Sequence, residues 1–117
     1  MDKLKERVKI KNIWTKNRIA VPPMVCFHWS DDSGCVTDKN LQHYRDMAAG
    51  GAGLIIAEAT AVTTRGRLHE PQLGLWEDKQ TEGWKRLADA VHQYDVTFFV
   101  PFHHAGVSGT EKNSARP

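Results

Sequence analysis

The sequence is poor in the features that would settle a function at sight. Its only two cysteines, Cys26 and Cys35, fall outside any CxxC or zinc-ligand spacing, so neither a redox motif nor a structural metal is indicated. A disulfide between them is possible by count but not expected in a chain without an export signal. No apolar run approaches the ~18 residues of a membrane span, and the N-terminus lacks the apolar core of a signal peptide, so no membrane and a cytoplasmic location are expected. There is no strong excess of one charge: 16 basic against 14 acidic side chains leave a net +2. The basic cluster "MDKLKERVKIK" reads as solvated charge around a hairpin, with nucleic-acid contact as the weaker alternative. The fingerprint GxGxxG is also missing. After the first apolar run the chain reads "PPMVCF" instead, which argues against a dinucleotide-binding Rossmann unit.

What is present suits one small globular unit, with 117 residues, 40% hydrophobic and 26% charged. "RVKIKNIWTKNRI" alternates as a short hairpin, with Val8 and Ile10 on one face and a turn at Lys11-Asn12. "RIAVPPM" is an apolar run stopped by Pro22 and Pro23, which remove two ladder donors. "SDDSG" is a loop, and Thr37 and Asp38 offer helix caps ahead of Leu41, Tyr44, Met47 and Ala48 at helical spacing; Gly50-Gly51 ends that helix. "AGLIIAEA" is continuous enough to be a strand covered on both faces. A long loop, "TAVTTRGRLHEPQLGLWED", leads to a second amphipathic helix with Trp84, Leu87, Ala88 and Val91 on its stripe, and "VTFFVPF" is a third strand. Strands near 19–25, 53–58 and 96–102, with helices near 38–49 and 78–94 and a hairpin at 7–18, have the spacing of parallel β/α units. Flavodoxin-like and Rossmann sheets share this order. A hairpin ahead of the first strand, acting as a plug under the sheet, suits a β/α barrel better.

His103 and His104 are adjacent, and adjacent residues on a strand point to opposite faces. Both would ligate one ion only if the backbone had already left the strand, so no metal is expected.

In "KNRIAVPPMV", "GGAGLIIAEATAV", "GRLHEPQLGLWED" and "FHHAG", in that order and spacing, the chain resembles the N-terminal part of the old yellow enzyme family, from about Leu4 to Val107. These are FMN-dependent NAD(P)H:flavin oxidoreductases and ene-reductases. The resemblance implies the N-terminal portion of a TIM (β/α)8 barrel, about three β/α units plus the hairpin, with FMN at the C-terminal mouth of the strands. It implies hydride transfer from NAD(P)H through the flavin to a small electrophilic alkene, the cofactor carrying the redox chemistry. Carried onto this sequence, it puts the backbone of Pro23, Met24 and Val25 against the flavin, with Ala59 leaving room for close approach. Pro101 stands where the family usually has a glutamine amide donating to the flavin. A lost hydrogen bond of that kind costs roughly 1–3 kcal/mol. The thiol that tunes the flavin in one branch has its place at Val25, with Cys26 one residue on and facing the other way; Cys26 is expected to be a small buried hydrophobe. His103 and His104 shape the mouth, Gly106 supplies a positive φ, and Arg65-Gly66-Arg67 is a solvated loop. No catalytic residue is assigned, because the substrate-orienting residues of the family come from later strands.

A barrel of this type needs about 250 residues. The expectation is therefore a single partial domain over 1–117, with the polar ending "SGTEKNSARP" as the tail of a shortened product that has little or no activity alone. An open sheet exposes unpaired edges and an apolar face, which implies a homo-oligomer or a partner chain supplying the C-terminal part. The alternative function is a non-catalytic, self-associating or partner-binding barrel fragment.

Overall fold

The computed structural model describes residues 2–69 and 71–109; most of the polar C-terminal ending lies outside the described residues. The chain opens with a short helix, α1 (Asp2–Lys5), which the alternation of the sequence did not announce. The hairpin follows as β1 (Val8–Ile10) and β2 (Ile13–Thr15), antiparallel with Ile10 opposite Ile13. Its turn places Lys11 at φ 54°, a left-handed conformation tolerated at a tight hairpin turn.

Beyond the hairpin the chain builds a parallel sheet of β3 (Ala20–Val21), β4 (Leu54–Ile56) and β6 (Thr97–Phe99), in the spatial order β3-β4-β6. Ala20 lies opposite Leu54, and Leu54 opposite Thr97. β3 ends before Pro22 because proline has no N–H to continue the ladder. The N-terminal rim of this sheet is clasped by Asn17, whose Nδ2 donates to Gly51 O at 2.8 Å and whose Oδ1 accepts from Ile19 N at 3.0 Å. Gly53 must be a glycine for this clasp: a Cβ there would stand 2.4 Å from Asn17 Oδ1. The hairpin underlies the same rim, where Val8, Ile10, Thr15, Ile19 and Leu54 border a cavity of about 190 Å³.

Two helices cover one face. α2 (Asp38–Ala49) starts at a capping box, in which Thr37 N donates to Asn40 Oδ1 at 2.9 Å while Thr37 Oγ1 accepts from Asn40 N. α3 (Thr81–Val91) is entered through a 3₁₀ turn, Asp78–Gln80, and ends with its apolar stripe at Val91, short of the expected 78–94. Tyr44 and Ala48 from α2, and Trp84, Leu87 and Val91 from α3, bury against Ile55, Ala57 and Val96, making one contiguous core. By strand alternation Leu54, Ile56, Thr97 and Phe99 face the opposite way, and all four are only half-buried.

The loop between β4 and α3 differs from its sequence reading. It carries β5 (Thr60–Ala61) and a 3₁₀ turn, Thr64–Gly66, and it buries Gln72, Leu73 and Gly74 instead of running over the surface. The two buried glutamines are what make this possible. Gln80 Oε1 accepts from Trp76 N at 2.7 Å while Nε2 donates to Ser33 O at 2.7 Å, satisfying backbone groups that burial would otherwise orphan.

Candidate functional site

At the C-terminal ends of the strands the ladder breaks and restarts. β4 and β6 pair with Ile56 opposite Phe99, and β5 then pairs with β7 (Phe102–His103) with Thr60 opposite Phe102. Ala57, Glu58 and Ala59 therefore oppose only Val100 and Pro101, so one extra residue bulges on the β4 side. The cause is Pro101. A regular parallel ladder, after Ala57 N has donated to Phe99 O at 2.8 Å, would next need an N–H from residue 101, and proline has none. Pairing resumes with Thr60 N donating to Pro101 O at 3.0 Å.

The bulge puts Glu58 inside. It is 1% exposed, with Oε2 accepting from Cys26 N at 3.2 Å and Oε1 accepting from Tyr44 Oη at 3.1 Å. Glu58 N in turn donates to Tyr44 Oη at 2.7 Å. One carboxyl thus ties the segment after β3 to α2 and to the end of β4. Burial pushes the Glu58 carboxyl above the usual carboxylate range, against the opposing pull of the bonds from Cys26 N and Tyr44. Burial, reinforced by the nearby carboxyl, raises the Tyr44 phenol and the Cys26 thiol as well.

The residues singled out by resemblance lie along this seam. Pro23 and Met24 are exposed, Met24 by 57%, while Val25, Ala59 and Pro101 are half-buried. Ala59 O accepts from Gln72 Nε2 at 2.9 Å, which pins the bulge. The amide N–H groups of Met24, Val25 and Ala59 donate to no described residue. Unused backbone donors beside a small side chain, at the mouth of a parallel sheet, fit a flat heteroaromatic ring with carbonyl edges. Pro101 does not fit as a donor, since it has no N–H and its carbonyl is taken by Thr60 N. Cys26 is half-buried rather than buried, because its segment leaves the sheet after β3.

The two histidines diverge. Gln72 Oε1 accepts from Leu68 N at 2.6 Å, which fixes its amide so that Nε2 faces His103 Nδ1 at 3.3 Å and makes that nitrogen the acceptor. His104 Nδ1 accepts from Gly106 N at 3.0 Å, so its ring hydrogen sits on Nε2. Among the described residues no cluster of His, Cys, Asp or Glu is arranged to hold a metal. Gly106 has φ 58°, the left-handed conformation expected of it.

The Arg65-Gly66-Arg67 turn is not simply solvated. Arg67 is 9% exposed, with Nε donating to Thr64 O at 2.9 Å and its guanidinium 5.3 Å from the Trp76 ring, whereas Arg65 is exposed. Thr63, Arg65, His104 and Gly106 border a cleft of about 370 Å³. The cleft opens at the same end of the sheet, but none of Pro23, Met24, Val25, Ala59 or Pro101 lines it.

Glu58, Tyr44 and Gln72 were not picked out as site residues from the sequence. The signal was a lone carboxylate inside the apolar stretch "GLIIAEATAV", since a buried charge needs partners.

The sequence model of the NADH:flavin oxidoreductase / NADH oxidase family matches residues 3–117. An NADPH dehydrogenase of Listeria monocytogenes serotype 4a is 42% identical over 106 residues, covering 91% of this chain. The chain spans 31% of the length of that relative. The solved old yellow enzyme of Trypanosoma cruzi superposes with a TM-score of 0.84 at 32% identity, over 96% of this chain and 29% of its own. The old yellow enzyme homologue of Zymomonas mobilis gives 0.86 at 28% identity, over 97% of this chain and 32% of its own. The chain corresponds to the N-terminal portion of a TIM (β/α)8 barrel. Among the described residues no helix is long and apolar enough to cross a membrane.

Proposed function

The chain belongs to the NADH:flavin oxidoreductase / NADH oxidase family, and on that premise we propose that it supplies the first wall of an FMN site in an NAD(P)H-dependent oxidoreductase. The observation that carries this is the set of undonated amides at Met24, Val25 and Ala59 on the C-terminal rim of a parallel sheet. Pro23, Met24 and Val25 hold the ring by backbone and by the exposed Met24 side chain, and Ala59 admits it without steric conflict. FMN held there would supply the chemistry of hydride transfer between a nicotinamide and an electron-poor alkene. The contribution of these residues is to bind the ring, orient it and exclude water from one face. Glu58 positions two of them, through Cys26 N and through its own place in the bulge.

Pro101 leaves the ring without the amide donor that a glutamine would provide, and the phosphate-gripping and substrate-orienting residues belong to later strands of the family barrel. The missing donor at Pro101 accordingly lowers the affinity for the ring. Titration of FMN with the full chain, followed by flavin fluorescence, tests this. Saturable quenching is expected, weakened by Ala59→Leu, which closes the approach. Pro101→Gln is expected to strengthen it about fivefold or more. No quenching at any concentration, or indifference to Ala59→Leu, overturns the assignment.

A second reading rests on a different observation. Among the described residues β3 and β6 each have a single neighbour in the sheet, and Met24 and Phe102 are 57% and 72% exposed. These are the features of a surface that pairs with another copy or with a partner chain, with no catalysis of its own.

A further inference from the structure

We propose that the cleft between Thr63, Arg65, His104 and Gly106 binds a small organic anion, recognised through a carboxylate or phosphate group. Its volume of about 370 Å³ falls in the range of small-molecule pockets, about 300–1,000 Å³. Every polar side chain in its lining, from Thr63, Arg65 and His104, offers a donor.

Thr63 Oγ1 already accepts from Gly66 N at 2.9 Å, which leaves the hydroxyl hydrogen to donate outward. His104 Nδ1 is occupied by Gly106 N, so only Nε2–H is offered. Arg65 forms no ion pair with any described carboxylate, and no acidic side chain lines the cleft. A pocket that presents a guanidinium, an imidazole N–H and a hydroxyl, with no carboxylate to balance them, selects negative charge.

The walls of the cleft and the His104 ring are held in place before a ligand arrives. Ala105 N donates to Gly66 O at 2.8 Å, joining the two segments that form the walls. Gly66 packs so closely on the His104 ring that a Cβ there would stand 2.8 Å from its Cδ2. A Cβ on Gly106, by contrast, would meet nothing within 4 Å, so that side stays open for entry. These features do not depend on a flavin at the neighbouring rim.

Isothermal titration of the full chain with pyrophosphate in one arm and succinate in the other tests the site. Saturable binding is expected in at least one arm, weakened about tenfold by Arg65→Gln and unchanged by Lys85→Gln. Lys85 serves as the control because it is an exposed helix residue paired only with Asp89, and its loss removes the same charge elsewhere. Binding confined to one arm identifies the group recognised. Absence of saturable binding in both arms, or a loss with Lys85→Gln equal to that with Arg65→Gln, overturns the site. So does saturable binding that Arg65→Gln leaves intact.

Discussion

Tyr44 and Glu58 are bonded to each other twice: the phenol donates to the carboxyl at 3.1 Å and accepts from the Glu58 backbone N–H at 2.7 Å. Both residues are essentially buried, at 2% and 1% exposure, so neither bond is replaced by water when its partner is removed. Tyr44→Phe is expected to lower stability by about 1–3 kcal/mol, the cost of orphaning buried polar groups. Urea denaturation followed by circular dichroism measures it, and a shift within error of zero would refute the double bond's importance.

The same carboxyl predicts an unusual pH dependence. Burial raises its value in the folded chain, so between the ordinary carboxylate value and the raised one the folded chain holds a proton that the unfolded chain has released. Its contribution to stability therefore falls as pH rises through that window and levels off above it. Asp31 and Glu77, lowered chiefly by bonds from Ser33 and Lys79, give the opposite slope, a contribution lost as pH falls. Subtracting the melting profile of Glu58→Gln from that of the native chain isolates the Glu58 term. A difference flat across the acid range contradicts the assignment.

Two glycines close on one tryptophan in ways that separate by rescue. A Cβ on Gly74 would stand 2.0 Å from Trp76 Cζ3, and a Cβ on Gly34 would stand 2.4 Å from Trp76 Cη2. Gly34→Ala and Gly74→Ala both destabilise. Adding Trp76→Leu restores much of the Gly74→Ala loss but little of the other, because Gly34 also sits at φ 68°, where an alanine is strained. Thermal melts of the four variants decide it, and equal rescue would show that sterics alone govern both positions.

Open edges on β3 and β6, with half-buried Ile56 and Phe99 on the face turned away from the helices, predict association of the isolated chain. Sedimentation velocity is expected to show an apparent mass that rises with concentration. A monomer with a sharp cooperative melt would contradict this.

Much of the frame was legible because local chemistry and tertiary role agree. Thr37 and Asn40 cap α2 where a capping residue precedes an apolar stripe, and Pro22 stops β3 by a property of the residue alone. What stayed hidden depends on residues far apart in the chain. Nothing near Gln72 announces that its amide spans from Ala59 O to His103, and the bulge follows from what Pro101 denies to a strand more than forty residues earlier. Arg67 looked like a surface cation because its partner surface, the Trp76 ring, is brought over it only by the folded loop. The 3₁₀ turn at Thr64–Gly66 separates it from its exposed neighbour Arg65, a distinction that side-chain type cannot express.

The Asn17 clasp carries a consequence for how this scaffold tolerates change. It joins the hairpin's exit to the approach of β4 at one rim of the sheet, through Gly51 O and Ile19 N, while the Thr63–Arg65 and His104–Gly106 segments lie at the other. Anchorage and ligand contact are thus inherited separately. Segments at the mouth are open to exchange for others of different chemistry while the sheet keeps its register, and a single change at Asn17 or Gly53 would loosen it from below.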